Sequence, residues 1–250
     1  YKSQTNSHWP DDWTANINNM RNLSEADKES LGRPITVQEL RTTLFHSMKE
    51  GKAPGNDGLT ASLYQSLWST ISTPFINCVE ESIAKGSLPP SQRQSVIRLI
   101  KKKDKDPTDI KNWRPISLMN VDSKLVSGAL ANRLKPLIPK IVSKEQLGFV
   151  QGRQISEGTK LVRLLLEELE QDGEDGLFAA IDFEKAFDSI EHTYIQSLLK
   201  QIGMPVYFID CFKTLYNKAE ASVINNSRTT PYFPVTRSCR QGDPIAPYLF

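Results

Sequence analysis

Asp182 closes an apolar run, Leu177-Phe178-Ala179-Ala180-Ile181-Asp182-Phe183. Read as a strand, that run carries a carboxylate to the edge of a core, where αβ proteins place ligand groups. If the alternation persists, Glu184 shares the face of Asp182, and Asp188 opens the next helix. Carboxylates in this arrangement suit a hard cation such as Mg²⁺, and two-ion phosphoryl transfer needs at least two of them. A helix cap or an ion-pair partner is the competing reading of the same aspartate.

Two further groups face anionic or sugar chemistry. Lys101, Lys102, Lys103 and Lys105 crowd one loop and can neutralise phosphates, and Arg114 can clamp a triphosphate with two hydrogen bonds. The alternative is a solvated hairpin tip. In Arg240-Gln241-Gly242-Asp243-Pro244, Gly242 permits close approach of a ligand to the backbone, and the Gln241 amide can read a sugar hydroxyl. The three cysteines, Cys78, Cys211 and Cys239, and the three histidines are scattered without metal-ligand or redox spacing. A zinc site built from ligands of this chain is therefore not expected, and reduced thiols are expected.

The elements that position these groups follow from pattern. Residues 1–34 show little periodicity beyond a short helix opened by Ser24. Thr36 caps a clearer helix, with Glu39 as its capping-box partner and Leu40, Leu44 and Met48 on one face. The turn-rich loop 52–58 leads to two helices, Thr60 to about Trp68 and Pro74 to Lys85. Residues 95–100 and 113–118 read as strands flanking the lysine loop. Helices follow over 122–137 (Leu125, Ala129, Leu130 and Leu134 inward), 156–170, 189–201 and 205–216. A strand is expected over 177–183, and a hairpin joins 221–224 to 232–235. The pattern predicts an α+β fold. No stretch reaches the ~18 apolar residues of a membrane span, and residues 1–13 lack a secretory plan.

The net charge of +2 hides a polarity. From Lys85 to Arg153 there are 15 Lys or Arg against 5 Asp or Glu; from Gln154 to Asp210 there are 4 against 12. A basic region beside an acidic one suits a protein that holds a polyanion and binds cations nearby, with two differently charged solvated faces as the alternative.

Seven segments, taken in order, resemble the reverse transcriptase of LINE-type (non-LTR) retrotransposons: 51–58, 99–102, Asn112-Trp113-Arg114-Pro115-Ile116-Ser117-Leu118, 131–134, Gln146-Leu147-Gly148-Phe149-Val150-Gln151-Gly152-Arg153, Ile181-Asp182-Phe183-Glu184-Lys185-Ala186-Phe187-Asp188 and 240–250. The resemblance implies a right-hand polymerase fold. Residues 1–34 would be a lead-in from an upstream, endonuclease-type domain, 35–176 the fingers, and 177–250 a partial palm ending before the family's paired-aspartate hairpin and thumb. It implies that Asp182 and the Phe183 carbonyl hold Mg²⁺, with Mn²⁺ as substitute. Lys102 and Arg114 would contact the triphosphate. Phe187 would exclude a ribose 2′-hydroxyl, and Gln241 and Gly242 would line the nucleotide pocket. Gln146, Gly148, Phe149, Gly152, Arg153, Lys101 and Lys103 would handle the template.

The implied reaction is addition of deoxynucleotides to a DNA primer 3′-hydroxyl on an RNA template, with no activity expected of this segment alone. The implied setting is an intracellular ribonucleoprotein, cytoplasmic and nuclear, with a retrotransposon RNA-binding protein among its partners. A non-catalytic nucleic-acid-binding segment and an RNA-templated RNA polymerase are the alternatives; the bulk of Phe187 argues against the latter. Two positions depart from the family pattern: Ser238 stands where Gly is usual, and Ala246 where Ser is usual.

Overall fold

The computed structural model describes residues 23–173, 175–226, 228–240 and 242–250. Helix α1 (Glu25–Gly32) begins at Ser24, whose hydroxyl accepts from the Asp27 amide. Helix α2 (Val37–Thr42) carries the expected capping box between Thr36 and Glu39, then widens into a π-helical turn over Thr43–Ser47. Helix α3 (Ala61–Lys85) is one helix, where the sequence predicts two, and Pro74 lies inside it. Pro74 and Thr70 both face solvent, so water can satisfy the carbonyl that the proline leaves without a partner.

After the short α4 (Pro90–Arg93), strands β1 (Gln94–Lys101) and β2 (Trp113–Met119) form the expected antiparallel pair. Helices α5 (Val121–Leu134), α6 (Ile138–Ile141) and α7 (Ile155–Asp172) follow, then α8 (Ala186–Ser189), α9 (His192–Gln201) and α10 (Val206–Tyr216). Strand β3 (Glu220–Asn225) pairs parallel with β1 and antiparallel with the two short strands β4 (Arg228–Thr229) and β5 (Phe233–Pro234). Helix α11 (Ala246–Leu249) ends the described chain. The fold is α+β: a small mixed sheet of order β2-β1-β3-β4 beside a larger helical layer.

The main core gathers around α5, which is buried nearly all round; Leu125, Ala129, Leu130 and Leu134 are all inside, as its pattern predicts. Leu23, Leu31 and Ile35 belong to this core, so the segment that carries them is packed. Arg133 pins it there. Its guanidinium donates to both carboxylate oxygens of Glu39 and to the carbonyls of Arg33 and Pro34. A smaller core of Ile97, Ala219, Ala221 and Val235 lies against one sheet face.

The strand expected over 177–183 is not formed. A strand needs a neighbour for its backbone groups, and among the described residues none pairs with this run. Its apolar side chains stand in solvent, Leu177 at 97% and Ile181 at 82% of full exposure. The run has strand composition without the contact that makes a strand. Helix α7 shares this condition: Leu161, Leu164, Leu165 and Leu166 are exposed, and no residue of the helix is buried.

At the start of α5, Asp122 is buried with its carboxylate on the Ser123 amide. Burial, with Asp57 adding to it, pushes this carboxyl up to about 6 from the ordinary 3.8. The native state therefore keeps a proton that the unfolded chain gives up between about pH 4 and 6, and stability falls as pH rises through that window. Asp122→Asn should gain on the order of 2–3 kcal/mol at pH 7.5 and almost nothing at pH 4. Urea denaturation at the two pH values checks this; equal gains at both would show that ionisation is not the cause.

Candidate nucleotide site

Residues 187–190 meet residues 238–239, just ahead of the 240–243 loop, through backbone. The Cys239 amide donates to the Phe187 carbonyl at 2.8 Å, and the Ser238 amide to the Ile190 carbonyl at 2.8 Å. Lys185, at φ +51°, turns the chain into α8 and so presents Phe187 and Asp188 inward. Asp188 is half-buried beside Ser238. Burial raises its carboxyl above the ordinary range, against the Ser238 hydroxyl, Lys185 and Arg237. Ser238 sits at φ +107°, a region that only glycine enters freely. That explains physically why glycine suits this position and why serine carries strain there.

Beneath the loop lies a closed polar cluster. Arg240 pairs with Asp243 at 3.0 Å, and both side chains are all but excluded from solvent. Asp243 also accepts from the Ser127 hydroxyl on α5, from Tyr216 on α10 at 3.2 Å, and from the Ile245 amide at 3.3 Å. The Arg240 guanidinium lies 4.9 Å from the Tyr216 ring centre, a cation–π contact. His192 also packs against Tyr216, at 4.8 Å between ring centres, and meets the Ser238 carbonyl at 3.0 Å through Nε2, which must therefore carry the proton. Burial lowers the His192 pKa and pushes the Cys239 thiol up to about 12.

Gly242 needs to be glycine on two counts. Its φ is +108°, and a Cβ there would come within 2.8 Å of the Ser117 carbonyl on β2. The loop is thereby pressed against the root of the β1–β2 hairpin. Gln241 lies outside the described residues. Gly55 is similarly tight: a Cβ would fall 1.9 Å from Asn120 Oδ1, so the 52–58 loop lies directly on the start of α5.

Phe187 is half-buried. Its ring stacks on Phe250 at 4.5 Å and meets Phe149 edge-on at 6.3 Å. Phe149 itself is 61% exposed and adopts φ +60°, unusual for so large a residue. It borders an open cavity of about 820 Å³ lined also by Gln146, Gly148 and Arg153. Gln146 donates to the Gly148 carbonyl, Gly152 turns at φ +82°, and Arg153 donates to the carbonyls of Ser143, Gln146 and Pro139. Arg153 thus shapes this loop as well as charging it.

Other expected site residues are not brought together. Asp182 and Phe183 are exposed on the unpaired run. Lys101 and Lys103 are exposed on the hairpin, and the Lys102 ammonium donates to the Lys111 carbonyl at 2.9 Å. Arg114 pairs with Ile100 and alternates to the face opposite Pro115 and Ser117, which border Asp188 and Arg240. Asp182 and the Phe183 carbonyl are hard oxygen donors of the kind Mg²⁺ takes, but they fill only part of its roughly six positions. No group of three or more His, Cys, Asp or Glu suited to a metal occurs among the described residues. Sequence reasoning missed Asp243, Ser127 and Asn120 as positioning groups. Only the Arg240–Asp243 pair is close enough in the chain to leave a local signal.

The profile of the family described as reverse transcriptase (RNA-dependent DNA polymerase) matches residues 100–250. The chain belongs to the reverse transcriptase family, in its LINE-type (non-LTR) branch. Within that branch it is similar to a transposon TX1 uncharacterized 149 kDa protein of Xenopus laevis, 38% identical over 91% of the chain and 17% of the relative. The Pol polyprotein of the type-2 retrotransposable element R2DM of Drosophila melanogaster is 29% identical over 89% of the chain and 20% of the relative. A putative 115 kDa protein of the type-1 element R1DM, from the same species, is 27% identical over 89% of the chain and 21% of the relative. The chain thus spans about a fifth of these relatives' length. Family chemistry uses divalent metal ions. No helix of this reverse transcriptase segment, among the described residues, is long and apolar enough to cross a membrane.

Proposed function

We propose that this chain is the fingers (35–176) and the front of the palm (177–250) of an RNA-directed DNA polymerase, with residues 1–34 leading in from upstream. The observation that supports the reading is the junction of residues 187–190 with 238–239, which sets Phe187 and Asp188 beside the backbone that leads into the Gly242 loop. In this reading Gln241 and Gly242 line the nucleotide pocket, and Phe187 excludes a ribose 2′-hydroxyl from it. The basic residues of 85–153 hold template RNA and DNA primer by their phosphates, with Lys101, Lys103 and the loop from Gln146 to Arg153 nearest the template. Lys102 and Arg114 neutralise the triphosphate of the incoming deoxynucleotide in this reading. Asp182 and the Phe183 carbonyl hold Mg²⁺, or Mn²⁺ in its place, whose chemistry is to offset charge on a transferring phosphoryl group; their oxygens fill part of that site. The setting is a retrotransposon ribonucleoprotein of cytoplasm and nucleus, together with an RNA-binding protein of the element.

The test is a graft. Residues 35–250, substituted for the matching segment of an active non-LTR reverse transcriptase, should support primer extension on RNA. Asp182→Ala in the graft should abolish it, because it removes a metal ligand. Extension that survives Asp182→Ala would remove this carboxylate from the chemistry.

A further inference from the structure

Ser238 is strained in a way that other residues of positive φ are not. Among the described residues, Asp104, Phe149, Lys185, Lys218 and Asn226 lie at +47° to +60°, in or near the left-handed basin that L-residues can enter. Ser238 lies at +107°, beside the +108° of Gly242. A residue so far outside the allowed regions persists only where its surroundings over-determine it.

Those surroundings are one short segment, residues 187–192. The peptide plane before Ser238 is pinned through its N–H, which donates to the Ile190 carbonyl at 2.8 Å. The plane after it is pinned at both ends. Its N–H, that of Cys239, donates to the Phe187 carbonyl at 2.8 Å, and its C=O accepts from His192 Nε2 at 3.0 Å. The angle between these two planes is what the dihedrals of Ser238 record. A backbone bridge between Glu191 and Arg237 extends the register by one residue. The Ser238 hydroxyl reaches Asp188 only at 3.5 Å, too long to hold much. His192 therefore supplies the one side-chain bond of full strength in this set.

His192 is itself fixed. It is the first residue of α9, it is buried, and its ring lies 4.8 Å from that of Tyr216. The same tyrosine ring carries the Arg240 guanidinium at 4.9 Å, and its hydroxyl donates to Asp243 at 3.2 Å. The stretch from 238 to 243 is thus referenced to one ring at its start and at its end.

We propose that His192 is a positioning residue for the nucleotide loop. By holding the Ser238 carbonyl it keeps the chain in a glycine-like turn, and so sets where Gly242 stands relative to Phe187, a role that rests on the polymerase reading for its ligand and on the bonds above for its geometry.

His192→Phe keeps a ring against Tyr216 and removes the donor. In the grafted polymerase it should raise KM for the incoming deoxynucleotide about five- to tenfold, with kcat within about twofold, the pattern of a lost bond that acts on binding. In a Ser238→Gly background the same change should raise KM less than about twofold, because glycine takes this φ without being held. Urea unfolding of the intact 250-residue chain reads the same coupling without any reaction. There His192→Phe should lower the midpoint clearly with Ser238 and much less with Ser238→Gly. A His192→Phe chain that folds only with Ser238→Gly would support the role equally. Equal penalties in the two backgrounds, by either measure, or failure to fold in both, would show that the ring packs and does not hold, and would overturn the proposal. So would a fall in kcat with KM unchanged. A graft that extends no primer with His192 and Ser238 both in place would strike the polymerase reading instead, and the unfolding cycle would then decide the role of His192 in holding the turn.

Discussion

Phe187→Ala in the grafted polymerase should lower the preference for deoxynucleotide over ribonucleotide by about 10–200-fold, the worth of excluding one small group from a shaped pocket. The ring is held from two sides, stacked on Phe250 and edge-on to Phe149, and its own carbonyl is bonded to Cys239 beside the Gly242 loop. A side chain fixed on three counts has little freedom to swing away from a 2′-hydroxyl. Truncation opens that space and leaves Asp182 untouched, so deoxynucleotide addition should persist while ribonucleotide addition rises. The competing role is packing. Phe187 lies against the main core, and a cavity there costs about 3–5 kcal/mol. Packing alone would depress both substrates together. The deciding quantity is the ratio of kcat/KM for the two nucleotides, and an unchanged ratio with both activities lowered would remove Phe187 from sugar selection.

Asp243→Ala should be the most destabilising single change in the loop. It strips Arg240 of its counter-charge in a place all but closed to solvent, and it takes an acceptor from Tyr216, Ser127 and the Ile245 amide. Breaking a buried pair from one side costs about 3–5 kcal/mol, which for a chain of this size lowers Tm by roughly 6–20 °C. Asp243→Asn keeps an acceptor oxygen and should lose less. Thermal and urea unfolding of the three proteins would decide. A loss under about 1 kcal/mol for the alanine variant would mean that the cluster relaxes or hydrates, contrary to its burial.

What could be read from the sequence divides along physical lines. The Thr36–Glu39 capping box, the β1–β2 pair and the inward face of α5 were legible because each is set by residues close in the chain. The break expected at Pro74 was not real: helix continuity depended on whether Thr70 met solvent, which spacing does not encode. The run 177–183 has the composition of a strand and lacks the partner; composition states a preference, and pairing is a fact of the tertiary fold. Asp182 stood out as a motif residue although the structure leaves it apart; in the site, Phe187, Gly242 and the 146–153 loop stood out as motifs. Their juxtaposition did not, because it depends on bonds such as Cys239 to Phe187. Asp243 was overlooked because its partners Ser127 and Tyr216 lie 116 and 27 residues away.

The pairing of β1 with β3 has a consequence for how the chain is made. These neighbours are parallel, and Gln94 meets Glu220 across 126 residues. During synthesis the β1–β2 hairpin can close early, from local contacts, but the inner edge of β1 has no mate until β3 has left the ribosome. At about 5–20 residues per second that is a wait of roughly 6–25 seconds, during which Val96 and Ile97 stand beside an open row of backbone donors and acceptors. The nascent protein is exposed to mispairing for that interval, with the nearby charges of Arg98 and Lys101 as its defence against another chain adding to the edge.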